Sequence, residues 1–176
     1  ALALTFILSW IVSTIAEGVI IKCASDILER GDARIRESFN FTISRLPSLL
    51  AAGIITGILI ALGLICFILP GVILGVMFSL VVPVIIVERM GALESLARSR
   101  RLVSKRWGKT FILLLLISIT ILIASWIVDV IISPFSSALS SIISGVIIAL
   151  IQPILPIVMT FLYYSMIVKE SLPSIL

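Results

Sequence analysis

Residues 46–87 read "LPSLLAAGIITGILIALGLICFILPGVILGVMFSLVVPVIIV" and contain no charged side chain. A stretch this long cannot stay dissolved in water. It exceeds the roughly 18 apolar residues that mark one membrane span and has room for two. Pro70 and Gly71 sit between its halves. Proline followed by glycine favours a tight reversal, so the stretch predicts a helical hairpin of spans 46–69 and 71–87. The apolar runs are continuous and do not alternate, which favours helices over a β-barrel.

The whole chain has the same character. Of its 176 residues, 61% are hydrophobic and 12% charged, against about 25% charged in a soluble domain. Further spans are expected at about 1–21, 111–132 and 142–168. The fold class is therefore all-α: a polytopic membrane protein of about five spans forming one domain over residues 1–176. The chain begins inside an apolar run and not with Met, so an upstream span is expected to be missing from it.

Charge sets an orientation. The segment 22–45 carries five basic residues, 88–109 carries seven, and Lys169 follows the fifth span. The turn at Pro70 and the loop 133–141 carry none. All 13 cations thus fall on one side of a five-span arrangement. The positive-inside rule places that side, with the C-terminus, in the cytoplasm of a cell-membrane protein.

The segment 88–109, "ERMGALESLARSRRLVSKRWGK", predicts an amphipathic interfacial helix over about 91–107. Glu94, Arg98, Arg101, Lys105 and Lys109 recur at helical spacing, and Leu93, Leu96, Ala97, Val103 and Trp107 follow another face. Glu94 stands four residues before Arg98, the favourable order for an ion pair. Arg98, Arg101, Lys105, Arg106 and Lys109 are candidate contacts for anionic headgroups; holding topology is the plainer role for the same charges. A weaker face, Ile35, Phe39, Ile43 and Leu46, predicts a second interfacial helix over about 33–45 and suggests a repeat of span, surface helix, span. With helices laid against lipid, no nucleic-acid partner is expected.

Small residues four apart favour close helix packing. On this ground Gly53, Gly57, Gly71, Gly75 and Gly145 are candidate packing positions. Glu17, Asp129 and Gln152 are candidates for an intramembrane polar site, because polar groups inside a bilayer are costly; structural hydrogen bonding is the plainer role of the two acids, which lie towards opposite membrane faces and cannot form a paired acid/base site. In "QPILP", Pro153 and Pro156 release the carbonyls of Ala149 and Gln152 from helical bonding; a plain kink is the simpler reading, and broken helices that line transporter sites are the other.

The chain has no His, which removes most triad, imidazole and metal schemes. No P-loop, glycine fingerprint or zinc spacing occurs. Cys23 and Cys66 belong near opposite membrane faces, too far apart for a disulfide. No catalytic residue, metal or cofactor is assigned, and the protein is read as a non-enzyme.

The residues from Arg45 to Phe111 resemble the membrane domain attached to some glycerophosphodiester phosphodiesterases and its free-standing bacterial and archaeal relatives, including YciC-like proteins. The likeness rests on the glycine-rich span, "LPG", "PVIIVE", then Gly91, Ala92, Glu94, Leu96, Arg98, Ser99, Leu102 and Trp107; the closing "YYSMIVKE" is also similar. It implies about six spans and a membrane module without the hydrolase chemistry, which belongs to a separate soluble domain. The leading expectation is a module that binds anionic lipid or supports partner membrane proteins. The alternative is a small transporter or a homo-oligomeric channel with a broken fifth span, several copies supplying the polar lining that a pore requires.

Overall fold

The computed structural model of the chain describes residues 2–132 and 137–171. Every regular element among them is helical: α1 (Leu2–Arg30), α2 (Ile35–Cys66), α3 (Ile68–Met77), α4 (Val81–Val87), α5 (Ala92–Ser104), α6 (Trp107–Ile132), α7 (Ser137–Ile151) and α8 (Ile154–Ser171). Five stretches are long and apolar enough to cross a membrane: Ala3–Arg30, Ile35–Cys66, Ile68–Val87, Trp107–Val128 and Gly145–Val168. The protein is an all-α, multi-pass membrane protein.

Three boundaries differ from the sequence expectation. The first lies in α2, which runs unbroken for 32 residues, so residues 33–45 do not form a separate interfacial helix and the suggested repeat is not reproduced. Pro47 stands inside the helix. It forfeits the bond to the carbonyl of Ile43 without ending the helix. At 1.5 Å per residue α2 is about 48 Å long, against a hydrocarbon core of about 30 Å. Its first turns therefore reach beyond the core without a break.

The reversal of the hairpin is the second difference. It falls at Phe67, whose backbone is extended (φ −164°, ψ 148°) and whose N–H donates to the carbonyl of Gly63. Pro70 is already the third residue of α3. In a first helical turn the N–H has no intrahelical partner, so proline costs nothing there.

The third difference is a break in the third span, between α3 and α4. Pro83 has no N–H to offer the carbonyl of Ser79, and the chain passes through a tight turn in which Val81 N–H donates to Phe78 O. The carbonyl of Met77 receives a hydrogen bond from Ser99 Oγ on α5 at 2.7 Å. A surface helix thus completes the bonding of a broken span.

The short α4 is the hub. Val81, Pro83, Val84, Ile85 and Ile86 are all buried. Leu80 and Val84 belong to a cluster with Val76, Leu102, Val103, Met159, Tyr163 and Met166. Val81, Ile85 and Ile86 belong to another, with Ile21, Leu49, Ala52 and Leu96. A helix apolar all round is one that is buried all round. The amphipathic α5 uses its inner face in the same way: Ser95, Leu96, Ser99, Leu102 and Val103 are buried against protein, whereas Leu93 and Ala97 stay exposed. Its face is directed to the bundle more than to lipid.

Close backbone approach is concentrated at fewer glycines than the spacing suggests. A Cβ at Gly71 would stand 2.5 Å from the Leu64 side chain and 2.8 Å from its backbone N; one at Gly63 would stand 2.9 Å from Gly71 Cα. At Gly18 it would meet Thr42 Cγ2 at 2.5 Å, and at Gly53 the Trp10 ring at 3.0 Å. Gly75 has only Ile60 Cδ1, at 3.9 Å, and Gly57 and Gly145 have nothing within 4 Å. Those last two lie on outward helix faces, so within one chain they pack no helix pair.

Candidate functional site

Two regions gather polar groups. The first lies within the bilayer-spanning part, where the fifth span breaks. Pro153 follows α7, Gln152 N–H closes the last turn on Ile148 O, and Ile157 N–H resumes bonding at Pro153 O. Beside this break is a cavity of about 370 Å³ lined by Ser13, Ala16, Glu17 and Ile20 of α1 together with Ala149, Gln152, Pro153, Leu155 and Pro156. Glu17 and Gln152, 135 residues apart in sequence, thus share one lining. Neither side chain has a hydrogen-bond or ionic partner among the described residues. The volume falls at the small end of the range for small-molecule pockets, about 300–1,000 Å³.

An apolar groove of about 440 Å³ adjoins the cavity, sharing Ile20 and Pro153. It follows α1 past Cys23 and Ile27 and α8 past Ile157 and Phe161. The two cysteines are free. Asp129, the third residue of the expected polar site, stands on α6, and its side chain lies outside the described residues.

The second region is the end of the bundle where the basic segments meet. Arg98 Nε lies 3.0 and 3.1 Å from the two carboxylate oxygens of Glu88. A second guanidinium nitrogen lies 3.0 Å from Glu170. Glu170 also takes Lys105 at 3.4 Å, and the hydroxyl of the buried Tyr163 donates to Glu88 at 2.8 Å. Three elements are tied: the end of α4, α5, and α8 at both its middle and its end. Burial opposes the charged form of Glu170, but the hydrogen bonds and charges of Arg98 and Lys105 outweigh it and hold its carboxyl below the usual range. A further tie joins α1 to α8: Ser25 Oγ and the Tyr164 hydroxyl are 2.7 Å apart, and Tyr164 also donates to Glu29.

This network revises the expected headgroup contacts. Arg98 faces two carboxylates, not lipid, and only 16% of its side chain is exposed. Glu94 is not its partner; its carboxylate accepts from Gly91 N–H at the start of α5. Lys105 is shared with Glu170. Arg101 and Lys109 remain exposed and Arg106 half-buried, without an ionic partner among the described residues. Trp107 stacks on Phe111 with ring centroids 5.2 Å apart.

Sequence reasoning did not single out Glu88, Tyr163 or Glu170. A signal was present: each sits where an apolar run meets the basic side, so each is an acceptor or hydroxyl at the depth of the arginines. It also paired no cation with Phe41, whose ring three of them approach.

No curated protein and no solved structure matches the chain. Residues 3–170 match the family described as a domain of unknown function, DUF7847, and the chain belongs to that family.

Proposed function

We propose that this protein is a membrane-embedded binding protein of transporter type, whose ligand occupies the cavity between Glu17 and Gln152. The carrying observation is that these two polar side chains share one cavity at a helix break and have no partner among the described residues. Placing an ionisable or amide group within a bilayer is costly. A fold that holds two of them unpartnered beside a released carbonyl has left their hydrogen bonds for something that enters. The carboxylate and carbonyls accept, so the ligand carries donors or positive charge. The mostly apolar lining and adjoining groove favour an amphipathic molecule. The lining holds a single carboxylate, and the reading is binding without catalysis.

The gathering of the basic segments at one end supports placing that end in the cytoplasm under the positive-inside rule. The groove then leads from the cavity towards the cytoplasmic side. One chain brings two polar side chains to this cavity and not a ring of polar groups, so a carrier fits it better than a channel. The resemblance to membrane domains of glycerophosphodiester phosphodiesterases is consistent with a module that works beside a soluble enzyme.

The test is water access. In a background of Cys23→Ala and Cys66→Ala, Gln152→Cys should react with a small water-soluble thiol reagent, and Ala16→Phe should slow that reaction by filling the cavity. An inert Gln152→Cys beside a reactive Arg101→Cys control would mean that the cavity is closed to water, and the proposal would fall.

A further inference from the structure

Phe41 lies on the first, protruding part of α2. It packs against the cluster that includes Ile21, Leu49, Ile85 and Ile86. Three cations from three different elements approach the ring. Lys22 Nζ of α1 is 5.3 Å from its centroid, Arg45 Cζ of α2 is 6.0 Å, and Arg89 Cζ of the α4–α5 turn is 5.2 Å. Only Lys22 has an anion within reach, Asp26 on its own helix. Arg45 and Arg89 have no carboxylate partner among the described residues. Glu88, next to Arg89, is already taken by Arg98 and Tyr163.

One aromatic face offsets part of the repulsion among three cations, and the net charge of the group stays positive. The backbone adds an independent sign. Arg89 adopts φ 57°, the only positive φ at a residue other than glycine among the described ones. The left-handed region is disfavoured for a long side chain, and such residues concentrate at binding sites. A glycine would meet the turn without strain; the arginine there sends a guanidinium towards the Phe41 ring.

We propose that Lys22, Arg45 and Arg89, gathered on the Phe41 ring, bind a phosphate group, and that its source is an anionic lipid headgroup. Guanidinium forks match phosphate oxygens in pairs, and Lys adds a point charge. The level is right for a headgroup: Lys22 is the first charge after the apolar run of α1 apart from Glu17, and Arg45 stands just before the uncharged stretch of α2. This site is separate from the cavity at Glu17 and does not depend on it.

The experiment is a lipid titration of the purified protein in detergent, read by native mass spectrometry, with phosphatidylglycerol, phosphatidylcholine and soluble glycerol phosphate as probes. The parent should retain phosphatidylglycerol in preference to phosphatidylcholine. Arg45→Gln with Arg89→Gly should lower that affinity about 30-fold, from the contribution of two basic residues near an anionic group. Arg89→Gly alone keeps the turn geometry and should lose about fivefold, which holds the test open if the double variant fails to fold. Arg36→Gln with Arg100→Gln, exposed cations outside both the cluster and the expected headgroup contacts, should change it less than about threefold. Competition by glycerol phosphate at equal ionic strength would retain the phosphate site but overturn its assignment to lipid. Unchanged lipid binding in both cluster variants, or an equal loss in the Arg36/Arg100 pair, would overturn the site.

Discussion

The third and fourth spans are near equals by hydropathy. Ile68–Val87 has 20 residues at a mean hydropathy of 2.6, and Trp107–Val128 has 22 at 2.9. Inside the molecule they are opposites: 44% of an 18-residue apolar stretch of the third is buried and none of the equivalent stretch of the fourth, whose buried Thr110 lies before it. The third is broken between Met77 and Val81, crosses α2 at Gly71 and ends in the Glu88 network. The fourth is one uninterrupted helix whose Ile112, Leu116, Leu122, Trp126 and Ile131 all face outward. In a bilayer an exposed Leu carries no hydrophobic penalty, because the surrounding chains are as apolar as it is. Hydropathy therefore reports that a segment crosses. Which segments form the core is set by small residues, hydroxyls and paired charges.

The largest expected effect tests whether those paired charges anchor the buried half. Arg98→Ala would leave the Glu88 carboxylate, 17% exposed, with only the Tyr163 hydroxyl. Removing one partner of a buried ion pair typically costs about 3–5 kcal/mol, because the other charge stays desolvated. The apparent melting temperature in detergent should fall sharply. Leu116→Ala on α6 removes a comparable volume from an outward face and should cost less than about 0.5 kcal/mol. Equal losses from the two substitutions would erase the contrast between the spans.

A smaller effect separates glycines that look alike. Gly71→Ala places a methyl against the backbone N of Leu64, where neither helix can yield without moving. Overpacking of this kind costs about 1–3 kcal/mol. Gly57→Ala adds the same methyl to open space and should be neutral or slightly stabilising, since alanine favours a helix by about 1 kcal/mol over glycine. A parallel pair of melting curves decides it; destabilisation at Gly57 would mean that this face meets a second chain.

These contrasts also mark how far the sequence could be read. Five spans, the α2–α3 hairpin and the gathering of cations followed from apolar run length and from the placement of Lys and Arg, which are properties of composition along the chain. The amphipathic helix before Trp107 followed from its period. The missed break in the third span turns on Pro83, which lies in an otherwise unremarkable apolar run. The turn before it also frees the carbonyl of Met77, and the donor that satisfies that carbonyl, Ser99, arrives from α5. Pro47 shows the converse, a proline through which the helix continues. Of the candidate polar site, Glu17 and Gln152 were legible singly as polar residues in apolar surroundings. Their meeting was not, since it depends on how α1 lies against α8. Arg98 was misjudged for the same reason: its helical spacing to Glu94 is local, whereas Glu88 and Glu170 reach it from 10 residues upstream and 72 downstream.

The smallest expected effect sharpens the contrast by making the buried half respond to pH. Glu170 ties α8 to α5 through Arg98 and Lys105, and their hydrogen bonds and charges, acting against burial, hold its carboxyl below the usual 4.5. A carboxyl whose folded pKa lies below its unfolded value contributes stability in full above the unfolded value and loses it as pH falls through the folded one. Protonation then leaves Arg98 with Glu88 alone and loosens the end of α8. Melting temperatures measured from about pH 6 down to pH 3 should decline in the parent, and Glu170→Gln, lower at the start, should decline less because that proton uptake has been removed. Leu116→Ala, altered only on the outward face of α6, should follow the parent's slope. If Glu170→Gln keeps the parent's full slope, acid sensitivity arises elsewhere and the tie between α5 and α8 is not what holds the buried half together at neutral pH.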